Sequence, residues 1–135
     1  MGFTGGDVKL ISYNHPTFGS GTLYAKAGED GTLSRGGYTS ADDDANITGT
    51  GQMIDIITRK RGSFEILCVW DTVDIKELDT INDMAGSPVL GDWTVEHISG
   101  AVWGGKGKPV GDVKGSTGTS TFNLKLAFEG KINNL

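Results

Sequence analysis

The sequence predicts a mostly β fold, an antiparallel β-sandwich or partial barrel with one short flanking helix and long extended loops. Residues 121–128 alternate apolar and polar side chains, the pattern of a strand with one buried and one exposed face. Several other short apolar runs are separated by glycines, of which the 135-residue chain has 22. Only one segment has helical spacing, and strands in close succession favour antiparallel sheets over alternating βαβ units.

Length and composition limit the organisation of the chain. A chain of 135 residues can enclose one core, so we predict a single domain over residues 1–135. The single cysteine, Cys68, lies in an apolar run, which excludes an internal disulfide and indicates a buried thiol in a reducing compartment. No apolar run approaches the roughly 18 residues of a membrane span, so no membrane contact is expected. The net charge of -5 argues against an ordinary nucleic-acid binder, which needs a basic patch.

The first third of the chain predicts short strands and one long loop. Residues 8–13 and 22–27 are rich in strand-forming side chains, and residues 28–31 indicate a hairpin turn because glycines adopt positive φ. Residues 34–51 are polar and acidic, with almost nothing apolar to pack. We therefore expect an exposed loop there, and loops of that length are usually functional or disordered.

The middle of the chain predicts a hairpin. Residues 52–59 and 62–70 are two apolar runs, joined across the basic residues before Gly62. Strand alternation in the second run places Phe64, Ile66, Cys68 and Trp70 on one face.

A helix of roughly 12 residues is predicted next. Asp71 or Thr72 can cap it, Asp74 lies near its positive end, and Gly86 can end it. The apolar stripe that would hold it on a sheet recurs every three positions, at Ile75, Leu78, Ile81 and Met84.

The last third returns to strand character. Residues 93–103 predict a strand, and the glycines from residue 104 onward predict a flexible turn region up to residue 118. The final strand is expected from about residue 119 to 132.

Catalytic and metal-binding patterns are weak. His15 precedes a proline and is expected in a loop, while His97 lies in a strand with no second ligand at metal spacing. The sequence has no Gly-x-Ser-x-Gly elbow, and the glycines and lysines of residues 104–109 lack phosphate-loop spacing. We therefore expect neither an enzyme nor a cofactor.

The acidic loop imitates a calcium site only in part. Asp42, Asp44 and Asn46 match the first three ligand positions of a calcium loop. Ile47 occupies the required glycine position and Met53 the required acid position. A solvated acidic loop is therefore favoured over a metal site.

The three tryptophans allow two interpretations. Trp70, Trp93 and Trp103 flank strand ends, where exposed rings could stack on sugars and buried rings would belong to the core. Core packing is favoured, because two of the three border apolar runs.

The order of parts resembles a known family. The segments that carry this resemblance are Arg-Gly-Ser-Phe-Glu-Ile-Leu at 61–67, the helix ending near Asp83-Met-Ala-Gly, Gly-Gly-Lys-Gly-Lys-Pro-Val-Gly-Asp at 104–112, and the closing strand at 121–131. Together they resemble the tail tube proteins of tailed bacteriophages, most closely those of contractile-tailed phages. The resemblance covers most of the chain, and residues 107–112 with the last strand are its most specific part.

The resemblance implies a structural function. In that family, a two-sheet sandwich with one helix forms hexameric rings whose inner sheets merge into a barrel, and stacked rings make a tube that conducts DNA during ejection. The implied partners are further copies of the chain, the tail sheath, the baseplate and the tail-terminator protein, with DNA passing unbound. The implied location is the virion tail, assembled in the host cytoplasm. Six copies of charge -5 give about -30, a wall that repels phosphates.

The resemblance also suggests functional positions. The polar face of the last strand would line the lumen at Asn123, Lys125 and Glu129, although Lys125 conflicts with a uniformly acidic wall. The loop at 34–51 and the region 106–118 would contact neighbouring subunits, with these candidate residues: Arg35, Tyr38, Asp42, Asp43, Asp44, Lys106, Lys108 and Asp112. The alternatives are a tube component of a secretion system or bacteriocin-like particle, and a carbohydrate-binding β-sandwich module.

Overall fold

The protein is mostly β, with antiparallel pairing throughout and one helix, as the sequence predicts. The computed structural model describes residues 5–71, 73 and 75–135. Its elements in chain order are β1 (Val8–His15), β2 (Gly19–Leu23), β3 (Thr32–Ser34), β4 (Gly37–Ser40), β5 (Ile57–Lys60), β6 (Ser63–Val69), α1 (Lys76–Ala85), β7 (Gly91–His97), β8 (Val102–Pro109), β9 (Gly115–Ser116), β10 (Thr121–Phe128) and β11 (Asn133–Asn134). β4 and β5 form a small sheet, and the other strands form the main sheet.

The main sheet folds into two layers where β8 and β10 diverge. Its strand order is β2-β1-β7-β8-β10-β6-β3, with β11 paired to β8 and β9 paired to β10. β8 and β10 pair only between the Leu126–Pro109 and Phe128–Gly107 positions. Beyond those pairs the layers separate, so Phe64 on β6 meets Trp103 on β8 with ring centroids 6.4 Å apart. The order ends in β2 and β3, so the described strands form a partial rather than a closed barrel.

The chain crosses between the layers directly after β2. Leu23 still pairs with β1, whereas two residues later Ala25 pairs with Cys68 of β6. The amide of Val69 donates to the carbonyl of Tyr24 at 3.0 Å. This crossing closes one end of the core with backbone hydrogen bonds.

The core lies between the layers and follows the predicted alternation. Phe122, Leu124 and Leu126 of β10 are at most 1% exposed. They pack in one cluster with Phe64, Ile66 and Cys68 of β6, the face predicted for that strand, and with residues of the other layer such as Trp93. The prediction that the tryptophans serve the core is confirmed for Trp93, which is 1% exposed.

The helix α1 is shorter than predicted and covers the core with one stripe. Ile81 and Met84 are fully buried and Leu78 packs against the core, but Ile75 lies at the N-cap position and is about half exposed. No side chain caps the helix start among the described residues, and Thr72 and Asp74 lie outside them. The Gly86 amide donates to Asn82, so the predicted end is confirmed.

The first part of the predicted turn region, residues 104–109, is a strand, whereas residues 110–114 are irregular. β8 pairs with β7 from Glu96–Val102 to Gly91–Gly107. A Cβ built on Gly104 would overlap the backbone carbonyl of Trp93, and one on Gly107 would lie 2.5 Å from the Ala127 oxygen. These glycines therefore allow β7 and β10 to approach β8 closely. Close approach of strands, and not backbone flexibility, accounts for glycine at these positions.

The predicted turn at 28–31 does not join two paired strands. Ala25 and β3 both pair with β6, so the residues between them form an irregular excursion of one edge segment. Gly28 has φ of 80° within this excursion. The hairpin interpretation was wrong because both flanking segments share one partner strand.

The predicted hairpin between residues 52–59 and 62–70 is also wrong. β5 and β6 lie in different sheets and pair with β4 and β3 respectively. The register runs from Thr32–Glu65 to Ser34–Ser63 and continues, after a break, from Gly37–Lys60 to Ser40–Ile57. β3 and β4 therefore form one side of a long hairpin, and β5 and β6 form the other side. Only the β3–β6 part of this hairpin belongs to the main sheet.

His15 is a buried structural residue at the end of β1 and not a loop residue. Its Nδ1 accepts hydrogen bonds from the amides of Thr17 at 3.0 Å and Phe18 at 3.2 Å. Because Nδ1 is an acceptor, Nε2 carries the proton and donates to the Val89 carbonyl at 3.1 Å. With both ring nitrogens used, His15 holds a turn in place.

We predict that Gly104→Ala is much more destabilising than Gly105→Ala. The first variant forces a methyl against the Trp93 backbone, whereas the second meets only Phe128 at 3.7 Å. The expected loss in the free energy of unfolding is about 2 kcal/mol for Gly104→Ala and about 0.5 kcal/mol or less for the control. Urea unfolding measures both, and equal losses would contradict the close approach of β7 and β8.

We predict that Cys68 resists alkylation in the folded protein. Burial raises the pKa of its thiol to about 12, and the side chain is inaccessible. Iodoacetamide should react at pH 8 on the order of a hundredfold more slowly than in the urea-unfolded control. The unfolded thiol ionises first, so this group should lower the stability as the pH rises from about 9 to about 12. Fast labelling without unfolding would contradict the burial of Cys68.

Candidate functional site

The upper part of the long hairpin extends away from the core, and we call residues 37–60 the arm. Beyond β4 and β5, towards the tip of the hairpin, the Ala41 amide donates to the Ile56 carbonyl at 2.8 Å. Ile47 and Met53 form a bridge, and the Thr48 amide donates to Gln52 at 2.8 Å. The expected loop at 34–51 is therefore one side of a two-stranded ribbon, which would reach on the order of 35 Å if straight.

The base of the arm is fixed by the segment that follows β10. The carbonyl of Arg35 accepts from the Ile132 amide at 2.8 Å, and its guanidinium donates back to the Ile132 carbonyl at 3.0 Å. The Gly62 amide donates to the Gly130 carbonyl at 2.6 Å. Gly36 has φ of 77° and lies against the backbone of Gly62, a conformation and spacing that favour glycine. Arg35, predicted as an assembly contact, therefore anchors the arm instead of extending from it.

The arm exposes large apolar side chains. Met53 is 77% exposed, Tyr38 67% and Ile57 58%. Ile47, Ile54 and Ile56 are also exposed, the last two within the apolar run predicted as a strand at 52–59. An isolated two-stranded ribbon is marginal in water, and exposed apolar patches mark interaction sites. The arm therefore has the composition of a surface that another molecule covers.

Three aspartates form a bulge on one side of the arm. The register changes between the Ala41–Ile56 and Asn46–Ile54 hydrogen bonds, which leaves residues 42–45 without partners on the other side. Asp42, Asp43 and Asp44 are exposed, and Asp43 accepts the Ala45 amide at 2.9 Å. None of the three takes part in the ion pairs found among the described residues. We call residues 42–44 the acidic bulge.

A basic cleft lies at the base of the arm. It has a volume of about 720 Å³ and is lined by Gly37, Tyr38, Arg59, Lys60, Arg61, Glu129, Gly130 and Lys131. Arg59 lies over the Tyr38 ring, 5.5 Å from its centroid. Lys131 and the three basic residues of 59–61 are exposed and absent from the ion pairs of the described chain. A second cavity of about 460 Å³ shares Arg61 and Glu129 and extends towards Lys108.

The outer face of the main sheet carries two of the three predicted lumen residues. Asn123 and Lys125 alternate with the buried residues of β10, and both are exposed. Asn123 Nδ2 donates to Glu65 Oε1 at 2.5 Å, and Lys125 is the register partner of Glu65. Glu129 lies beyond the end of β10 and lines the basic cleft instead.

Two of the remaining candidates lie in a strand, and the third lies in the irregular segment that follows it. Lys106 and Lys108 lie on β8, and the Lys108 ammonium donates to the Ser87 carbonyl at 2.6 Å. Asp112 follows β8 and pairs with Lys114 at 3.5 Å, both exposed. The structure thus brings Tyr38 into the basic cleft and leaves Lys106 and Asp112 outside it.

Comparisons and general features add little. No protein-family model and no curated protein matches the chain at a significant level. Within the described part of the chain, no cluster of three or more His, Cys, Asp or Glu side chains could hold a metal ion. No described helix is long and apolar enough to cross a membrane.

We predict that trypsin cuts the unassembled chain first in the arm. The bonds after Arg59 and Lys60 lie in an exposed two-stranded ribbon that opens locally at low cost. Lys125 lies in a strand paired along its length and serves as the internal control. Mass spectrometry of early fragments measures the order of cleavage, and an initial cut after Lys125 would contradict the exposed ribbon.

Proposed function

We propose that the protein is a self-assembling structural subunit, a tail tube protein of a tailed bacteriophage. Hexameric rings of the chain would stack into a hollow tube that conducts DNA during ejection. The proposal combines the sequence resemblance with one structural observation, the exposed apolar arm on a body whose core is already complete. The proposed location is the virion tail, assembled in the host cytoplasm.

The arm supports self-assembly because its apolar side chains have no place to bury within their own chain. The core cluster is built from main-sheet strands and α1, and it contains no residue of the arm. Met53 and Ile57 on the ribbon therefore remain in water unless another molecule covers them. Repeating copies of one subunit supply such a cover without a second gene product.

The edges of the main sheet also favour joining of subunits. β2 and β3 end the strand order, and unpaired strand edges are a template for pairing with another chain. Edge-to-edge contact between copies would satisfy these backbone groups and continue the sheet around a ring. Such a ring would enclose a lumen on one face of the sheet.

The outer face of β10 is compatible with a lumen through which DNA passes without being bound. Lys125 alone would attract phosphates, but Glu65 is its register partner. The Glu65 carboxylate also accepts from Asn123, so this part of the face is polar and mixed in charge. We assign this face to the lumen, with the sheath, baseplate and tail-terminator proteins as further partners of the assembled tube.

The alternatives receive no separate support. A tube of a secretion system or bacteriocin-like particle would use the same arm and sheet edges. A carbohydrate-binding module would use exposed tryptophans, whereas Trp93 is 1% exposed and the indole nitrogens of Trp70 and Trp103 are buried. The tube protein is therefore the function that we propose.

We predict that the purified protein forms rings or hollow tubes and that Met53→Ser with Ile57→Ser abolishes them. Removing two apolar contacts from the arm weakens each interface without touching the core. Negative-stain microscopy and sedimentation velocity measure the assembly, and urea unfolding checks that the monomer is still folded.

The matched control is Val73→Ser, which removes a 95% exposed apolar side chain outside the arm and should assemble normally. A wild-type protein that stays monomeric at high concentration would refute the proposed function. Normal tubes from the double variant would refute the role of the arm.

A further inference from the structure

Opposite charges are segregated on the arm. The acidic bulge places three carboxylates on consecutive residues, and the basic cleft gathers Arg59, Lys60, Arg61 and Lys131 with Glu129 as the single acid in its lining. Neither group takes part in the two ion pairs of the described chain, Lys9–Glu96 and Lys114–Asp112. Each group therefore carries an excess of one charge, with three acids in the bulge and four bases against one acid in the cleft.

The two groups do not pair with each other within the described chain. Asp42 is four residues along the ribbon from Tyr38, whose register partner is Arg59. At roughly 3.3 Å per residue the backbone positions of Asp42 and Arg59 are about 13 Å apart, which exceeds the screening length of about 8 Å at physiological salt. Both groups are therefore available to pair with a second molecule.

The basic cleft suits a carboxylate-rich segment. Its volume of about 720 Å³ accommodates several side chains, and Arg59 is already oriented over the Tyr38 ring. Arginine donates in pairs to carboxylates, and a preoriented side chain loses less entropy on binding. The bulge is exposed and its residues have no strand partners, so its carboxylates are accessible to such a cleft, with Asp43 also accepting the Ala45 amide.

We infer that the acidic bulge of one copy binds in the basic cleft of a neighbouring copy. This contact rests on the proposed function, since it specifies which surfaces meet when subunits assemble. It also assigns the lysine and arginine residues at 59–61 and Lys131 to the interface, none of which the sequence had suggested.

Two neutralised variants test the contact. In the bulge variant, Asp42, Asp43 and Asp44 become Asn, and in the cleft variant Arg59, Lys60 and Lys131 become Gln. The control for the bulge variant changes Asp30, Asp79 and Asp83 to Asn, which raises the net charge by three, as the bulge variant does, at exposed sites off the arm. Each test variant should assemble only at concentrations at least tenfold above wild type, while the control assembles as wild type does.

A mixture of the two variants gives the decisive result. The bulge variant keeps an intact cleft and the cleft variant an intact bulge, so the mixture should associate under conditions where neither does alone. Sedimentation velocity measures this association. No association in the mixture, or normal assembly of the bulge variant, would overturn the contact while tubes from the wild type would leave the proposed function standing.

Salt dependence gives an independent result. Copies of charge -5 repel one another, so screening by salt would strengthen assembly if this repulsion dominated. Specific pairing of bulge and cleft predicts the opposite, at least tenfold weaker assembly at 0.5 M than at 0.05 M sodium chloride. Assembly that strengthens with salt would overturn the inference.

A nucleic-acid occupant of the cleft would give a different pattern. A short DNA duplex would then bind the wild type and the bulge variant but not the cleft variant, in a gel-shift experiment at low salt. That pattern would overturn the inference. We expect no retardation of the duplex by any of the proteins at equal concentration.

Discussion

The pairing of β10 with β6 is the interaction on which the structure depends. One side of this ladder supplies Phe122, Leu124 and Leu126, and the other supplies Phe64, Ile66 and Cys68, all at most 2% exposed. Burial of each large side chain contributes about 2 kcal/mol before the entropy of ordering is counted. Because β8 joins β10 only at the end of this ladder, the sheet opens into the two layers that enclose these side chains.

The arm follows from the same ladder. Its register continues that of β3 and β6, and the break between them lies where residues after β10 bind Arg35 and Gly62 by backbone hydrogen bonds. On the β3–β6 side of the break the hairpin covers the core. On the β4–β5 side there is no core for it to cover. The apolar residues around Met53 are therefore placed beyond the core by topology and not by a change in composition.

The sequence predicted the elements better than their partners. The period of two in β10 and the apolar face of β6 locate the core, because burial selects side chains locally. The pairing of β5 could not be predicted in this way, since its partner β4 has Tyr38 as its single large apolar residue. The glycines of β8 predict a turn from the sequence, because closely packed strands and flexible turns are both rich in glycine. The sequence does not predict the cleft, because Lys131 and residues 59–61 are far apart in the chain and are brought together by the hydrogen bonds of Arg35 and Gly62 with the segment after β10.

The continuity of the arm with β6 determines how mechanical load would spread. A pull on β5 passes along the backbone through Arg61 and Gly62 into β6. β6 is bonded to β10 from Val69–Thr121 to Ser63–Ala127, so tension directed along the strand is shared by the whole ladder instead of opening one bond at a time. The projecting ribbon is thus continuous with a strand that is hydrogen-bonded to β10 along its whole length.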